Sequence, residues 1–285
     1  MHDLIEAYRK SNKPLLLCDY SPPRSPGAMN LDSLKKLPVD YFSVAYNPGK
    51  APRVDSITAA RLIQSVTSKP VIFTMAARDM NKIAIQSQLL GASISDLNNV
   101  LLVGGDPLAE LEKKNGATEV RDYKPTDLIR STAQLALGLD YRGMKIAEPP
   151  VFCIGAALDT SNNLDLEIPL MLTKIQAGAQ FFITQPIYEI NEYYGFLEKF
   201  KSITGSDLTV PIFWGLQVLS SDGPIFGKPT QRVLNNLNYK INPLRIARDL
   251  LQDMRSAEVK GIYLIPPISS NGRRDYPSLN DVIYA

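Results

Sequence analysis

The feature that most limits what this chain can fold into is a recurrence. Eight short apolar runs punctuate it: Leu15–Asp19, Tyr41–Tyr46, Val71–Met75, Val100–Val103, Val151–Ala156, Phe181–Thr184, Pro211–Gly215 and Gly261–Ile265. They are continuous rather than alternating, as strands buried on both faces are. Helical patterns fill the intervals: Asp55–Val66, Asp79–Leu90, Thr126–Leu139, Leu164–Ala177, Asn191–Ile203 and Pro243–Ala257. Thr126-Asp127 reads as a cap. Pro169 suits a first helical turn, so the fourth of these helices is expected to begin near it. Strand-helix alternation repeated in this way predicts a single (β/α)8 TIM barrel over residues 1–285. A doubly wound sheet is the alternative, but no Gly-x-Gly-x-x-Gly follows the first strand.

Composition removes several classes of function. The net charge is +2, and no lysine or arginine run exceeds two residues, so nucleic acid is not an expected partner. No apolar run approaches the roughly 18 residues of a membrane helix, and the N-terminus reads as polar and amphipathic rather than as a signal peptide. Cys18 and Cys153 both lie in apolar runs, which fits buried, reduced thiols in a cytoplasmic protein. The single histidine, His2, excludes Ser-His-Asp and Cys-His chemistry and histidine-rich metal sites. No metal site is expected, and proton transfer falls to carboxylates, lysine, tyrosine or water.

Barrel sites lie at the carboxyl ends of the strands. There the first run ends in Asp19, with Pro22-Pro23 stiffening the backbone beyond it. The fourth ends in Gly104-Gly105-Asp106-Pro107, the sixth in Thr184-Gln185-Pro186, and the seventh leads to Gln217 and a long loop at Ser220–Gly227. Asp19, Asp106 and Gln185 therefore point to one mouth. A carboxylate at the edge of an apolar barrel tends to have a raised pKa, which makes a general acid. The competing reading for Asp106 is a turn aspartate.

These segments resemble the 5,10-methylenetetrahydrofolate reductase family of flavin-dependent barrels. The resemblance rests on Asp19-Tyr20-Ser21-Pro22-Pro23, on Phe42-Ser43-Val44-Ala45-Tyr46, on Val103-Gly104-Gly105-Asp106-Pro107, and on Lys174-Ile175-Gln176-Ala177-Gly178-Ala179 followed by Ile183-Thr184-Gln185. They occur in the family's order over nearly the whole chain. The resemblance implies reduction of 5,10-methylenetetrahydrofolate to 5-methyltetrahydrofolate, with FAD as cofactor and NAD(P)H as electron donor. Asp19 would be the acid toward the folate ring, Asp106 the aspartate near pterin and flavin, and Gln185 a folate ligand, joined by Gln217. Tyr46, Thr74, Gly105, Glu167 and Lys174 would face the cofactor, and Arg78 and Asn81 would add a phosphate grip at a helix start.

The chain also departs from the family. Asp19 stands where the family has glutamate, and a misplacement of about 1 Å can cost on the order of 10²-fold in rate. Ile72 and Gly104 stand where a histidine and an arginine face the flavin. Two further readings follow from these losses. One is a flavin-free, folate-binding barrel of methyltransferase type. The other is a non-catalytic subunit docked on a redox complex, with Tyr188–Tyr194 as its apolar patch. The associations left open are a homo-oligomer or a redox partner protein.

Overall fold

A computed structural model describes residues 4–29 and 31–284, so His2 lies outside the described residues. Eight parallel strands close in sequence order into a barrel. They are β1 (Leu15–Tyr20), β2 (Tyr41–Val44), β3 (Val71–Ala76), β4 (Asn99–Val103), β5 (Cys153–Leu158), β6 (Phe181–Pro186), β7 (Ile212–Gln217) and β8 (Gly261–Ile265). The ring closes where β1 pairs with β8, Leu17 beside Tyr263. The helices are α1 (Leu4–Lys10), α2 (Asp32–Lys35), α3 (Ser56–Thr67), α4 (Lys82–Ile94), α5 (Glu110–Lys114), α6 (Pro125–Ala136), α7 (Leu164–Ala177), α8 (Ile190–Thr204), α9 (Gln231–Asn238), α10 (Pro243–Ser256) and α11 (Ser278–Ile283).

Local chemistry sets the helix ends. The Asp55 carboxylate accepts from the N–H groups of Ile57 and Thr58 and starts α3. Asn81 caps α4 by accepting from Ala84 N–H. Pro125 sits in the first turn of α6, so that helix starts at the proline rather than at a Thr126-Asp127 cap. For α7 the expected start near Pro169 is wrong. The helix starts five residues earlier, at Leu164, where Asn163 caps it through Asp165 N–H, and Pro169 lies inside it. The cap nucleates the turn, and the proline removes a single backbone bond near the N-terminal end.

The bore is packed, not hollow. Leu15, Leu17, Tyr41, Ile72, Leu101, Phe181, Ile183 and Phe213 fill it as one apolar cluster. Phe181 meets Phe213 edge to face, with ring centroids 6.1 Å apart. This filling needs a glycine on β5: a Cβ at Gly155 would lie 2.2 Å from Cζ of Phe181. Tyr8 of α1 packs edge-on to Phe213 at 5.4 Å and floors the barrel. A second, larger cluster lies between the strands and the surrounding helices, with Trp214, Phe42, Phe182 and Phe196 among it.

Cys18 is buried in that outer layer, whereas Cys153, expected to be buried too, is only half-buried, at the start of β5. Of the tyrosines at 188–194, Tyr188 is buried and Tyr193 packs edge to face on Trp214 at 5.0 Å; Tyr194 stays exposed. Two of the three rings thus cover the barrel, not a docking face. No described helix is long and apolar enough to cross a membrane.

Candidate functional site

Asp19 is the fifth residue of β1 and is 4% exposed. Both of its oxygens are engaged. The Tyr263 hydroxyl, on the neighbouring strand β8, donates to Oδ1 at 2.7 Å. Arg274 Nε donates to Oδ2 at 2.9 Å, from the loop after β8. That loop folds back as a tight hairpin, with an isolated bridge between Ile268 and Arg274, and this return brings the guanidinium to the mouth. Burial works against the Arg274 charge, but the Asp19 carboxylate more than offsets it, so the guanidinium is held above its usual range. Burial, then the Asp19 charge, pushes the Tyr263 phenol far above its usual value, so its proton stays on.

The prolines behind Asp19 are also tied down. Arg53, in the loop after β2, donates from its guanidinium to the carbonyls of Pro22 and Pro48, each at 2.9 Å. Pro22-Pro23 therefore fixes the exit of β1 through backbone stiffness and through a carbonyl held by the next loop.

Gln185 reaches the mouth through an irregularity. Between Ile183 and Pro186 the register of β6 on β7 shifts, because two residues of β6 face one of β7. A bulge of this kind re-aims a side chain. Thr184 stitches it: its hydroxyl donates to Gln185 O at 2.6 Å and accepts from Gly215 N–H at 2.8 Å. Gln185 is the exposed residue of an otherwise buried strand.

Asp106 is exposed beyond β4, and its carbonyl accepts from Arg78 at 3.0 Å. Neither the Asp106 carboxylate nor the Gln185 amide has a side-chain hydrogen-bond partner among the described residues. Arg78 itself is buried and forms a fork with Asp79, Nε to Oδ1 at 2.6 Å and a terminal nitrogen to Oδ2 at 2.7 Å. Gly105 allows the approach: its φ is +79°, and a Cβ there would lie 2.8 Å from that of Arg78. The Tyr46 phenol joins the cluster; burial and then the nearby Asp79 charge raise it. Tyr46, Arg78, Gly105 and Asp106 thus come together around Asp79.

The other expected residues are placed elsewhere. Glu167 and Lys174 pair with each other on α7, 3.7 Å apart. Lys174 also donates to Ala157 O at 2.8 Å, closing the end of β5. Burial lowers the Lys174 pKa and Glu167 partly restores it. Thr74 is buried in β3, its carbonyl accepting from the Ser56 hydroxyl at 2.8 Å. Gln217, expected to meet substrate, holds its own loop: Oε1 accepts from Phe226 N–H at 2.8 Å, and Nε2 donates to Pro224 O at 2.8 Å.

These partners bear on a flavin. Arg78 is forked to Asp79, Asn81 is engaged in a helix cap, and Lys174 is paired with Glu167. As placed, Arg78 and Lys174 direct their donors into the protein, while Asn81 caps through Oδ1 and its Nδ2 has no partner among the described residues. Sequence reasoning missed Tyr263 and Arg53, and it placed Arg274 beyond the end of β8 without giving it a role. Strand pairing of β1 with β8 could have flagged Tyr263. The partners of the two arginines carry no local signal, since Arg53 and Arg274 act across loops.

A closed ring of parallel strands, with polar groups gathered at its carboxyl end over a packed bore, defines a (β/α)8 barrel. The chain belongs to the methylenetetrahydrofolate reductase family, whose model matches residues 4–222. Two relatives from Schizosaccharomyces pombe agree. Methylenetetrahydrofolate reductase 2 is 24% identical over 242 residues, covering 78% of this chain and 35% of that protein. Methylenetetrahydrofolate reductase 1 is 22% identical over 152 residues, 52% of this chain and 22% of that protein. The chain thus spans about a third or less of the length of these relatives.

Among solved structures, a Clostridium thermocellum protein described as binding two copies of 5-methyl-5,6,7,8-tetrahydrofolic acid shares the fold, with a TM-score of 0.66 at 11% identity over 99% of both chains. A 2,3-dimethylmalate lyase of the PEP mutase/isocitrate lyase superfamily does so with a TM-score of 0.53 at 12% identity, over 99% of this chain and 84% of that one.

Proposed function

We propose that this chain binds a reduced folate across the barrel mouth and acts on its one-carbon unit, as an oxidoreductase of the methylenetetrahydrofolate reductase type. The observation that carries the reading is the pair of unpartnered polar groups, Asp106 and Gln185, at the same end of the barrel as Asp19. A pterin presents an edge of N–H donors beside a carbonyl. A carboxylate accepts from the donors, and an amide can both donate and accept. The fold-sharing Clostridium thermocellum protein, described as binding 5-methyl-5,6,7,8-tetrahydrofolic acid, supports the choice of ligand.

Asp19 enters this reading as the acid of the folate ring, on the strength of its place in the family pattern. Both of its oxygens accept, so to give a proton to a ligand Asp19 must first take one up from water and exchange its bond to Arg274 or to Tyr263. The finer assignment, 5,10-methylenetetrahydrofolate to 5-methyltetrahydrofolate with FAD and NAD(P)H, requires Arg78 and Lys174 to release their present partners. Their engagement favours a second reading, a flavin-free barrel that holds folate while its methyl group passes to or from another protein.

Calorimetric titration with 5-methyltetrahydrofolate tests the shared part. Saturable binding, weakened in Asp106→Asn and Gln185→Ala, is expected; no binding of either the methyl or the methylene form removes the proposal. The visible spectrum separates the two readings. A band near 450 nm (the flavin absorption) after incubation with FAD, together with NAD(P)H oxidation, selects the reductase. A colourless protein that binds folate selects the flavin-free barrel.

A further inference from the structure

Beside Asp19, on the flank where the loops after β1 and β8 meet, lies a cavity of about 950 Å³. That is at the upper end of the roughly 300–1,000 Å³ of small-molecule sites. Its wall is cationic: Arg24, Arg53, Arg273 and Arg274 all line it. Arg274 is neutralised by Asp19. The other three have no carboxylate partner among the described residues. Asp275, the acid on the wall, faces Ser278, whose hydroxyl and N–H donate to it. Positive charge is therefore in excess. Burial lowers the Arg53 pKa, and the neighbouring charges of Arg274 and Arg24 lower it further, the mark of arginines held together with no anion between them.

Two hydroxyls on the same wall are also without partners. Those of Ser21 and Tyr276 are buried and make no hydrogen bond. Tyr276 is 8% exposed, and its ring stacks on Tyr20 at 5.7 Å, so the hydroxyl is fixed in place. An oxyanion in the cavity would accept from the guanidinium forks of Arg24, Arg53 and Arg273.

We infer that this cavity is an anion site that takes an oxyanion of two or more negative charges, such as a phosphate or a polycarboxylate. Neither Asp106 nor Gln185 lines it, and Arg274 joins it to Asp19. Two sources have this chemistry: a free anion, or the charged end of whatever ligand occupies the mouth.

Calorimetry on the purified chain, without folate and at low salt, tests the site with pyrophosphate and separately with citrate as probes. Saturable binding is expected, weakened about tenfold or more in Arg24→Gln/Arg273→Gln, since charge-assisted bonds are the strong ones. Both residues are exposed, so the double variant should keep its melting temperature, and a melt checks this. Repeating the titration with 5-methyltetrahydrofolate present identifies the source: lost anion binding assigns the cavity to the end of the mouth's ligand, and unchanged binding assigns it to a free anion. No saturable binding at millimolar probe overturns the inference, as does equal affinity in a folded double variant. Because the first titration contains no folate, its outcome is independent of the proposed function.

Discussion

Asp19 shows what a single residue reveals and conceals. Its place was legible, because an acid that closes an apolar strand needs a purpose. Its partners were not, because Tyr263 and Arg274 lie 244 and 255 residues away. Asp19→Asn should keep folate binding and lose turnover by about 10²-fold or more, the contribution usual for a positioned acid. It also leaves Arg274 buried without its counter-charge, a loss of roughly 3–5 kcal/mol. Kinetics and a thermal melt must therefore be read together; near-normal turnover would remove Asp19 from the mechanism. Gly105 is a simpler case. Its Gly-Gly-Asp-Pro setting marked a turn, and the turn is real, with φ at +79°. Gly105→Ala should cost about 1–3 kcal/mol, because it combines left-handed backbone with a contact on Arg78. Urea unfolding measures it, and an unchanged midpoint would show that Arg78 yields freely.

At the scale of elements, the strands were legible because parallel strands under helices are apolar on both faces. The bulge in β6 was not, since one extra residue leaves no mark in an apolar run. The start of α7 was misplaced because a proline carries a louder signal than an asparagine cap. Gln217 shows the same limit: a strand-end amide reads as a ligand, yet it anchors a loop. Gln217→Ala should free that loop, with the Phe226 amide exchanging faster with solvent and a loss of about 1–3 kcal/mol; unchanged exchange would mean the loop holds without it. In α8, Glu192 accepts from the N–H groups of Tyr188 and Glu189. Burial raises its pKa above 4.5, outweighing those two bonds. The folded chain therefore holds this proton more tightly than the unfolded one. The stabilisation is complete below about pH 4.5 and is lost as pH rises through the folded value. Denaturant midpoints across that range should fall less steeply in Glu192→Gln than in the native chain. Equal slopes would show that the group does not titrate there.

For the whole molecule, alternation of strand and helix was enough to name the architecture, and ordered motifs pointed to the family. Neither could say whether the family's cofactor contacts survive. That depends on which donors are already engaged, a property of side-chain geometry and not of residue identity. Arg78, for example, matches a phosphate grip by type and is an internal clamp by contact. Gly155 illustrates the other direction. It looked like any small residue in a strand, and in three dimensions it makes room for Phe181. Gly155→Ala should destabilise the barrel by about 1–3 kcal/mol through overpacking, readable as a lowered melting temperature.

The packed bore also constrains traffic. With Phe181, Phe213 and Tyr8 closing the floor, the site is a cul-de-sac. Whatever enters at the rim must back out by the same doorway. A second reactant must therefore wait its turn or squeeze in alongside the first, since the architecture offers it no other way in.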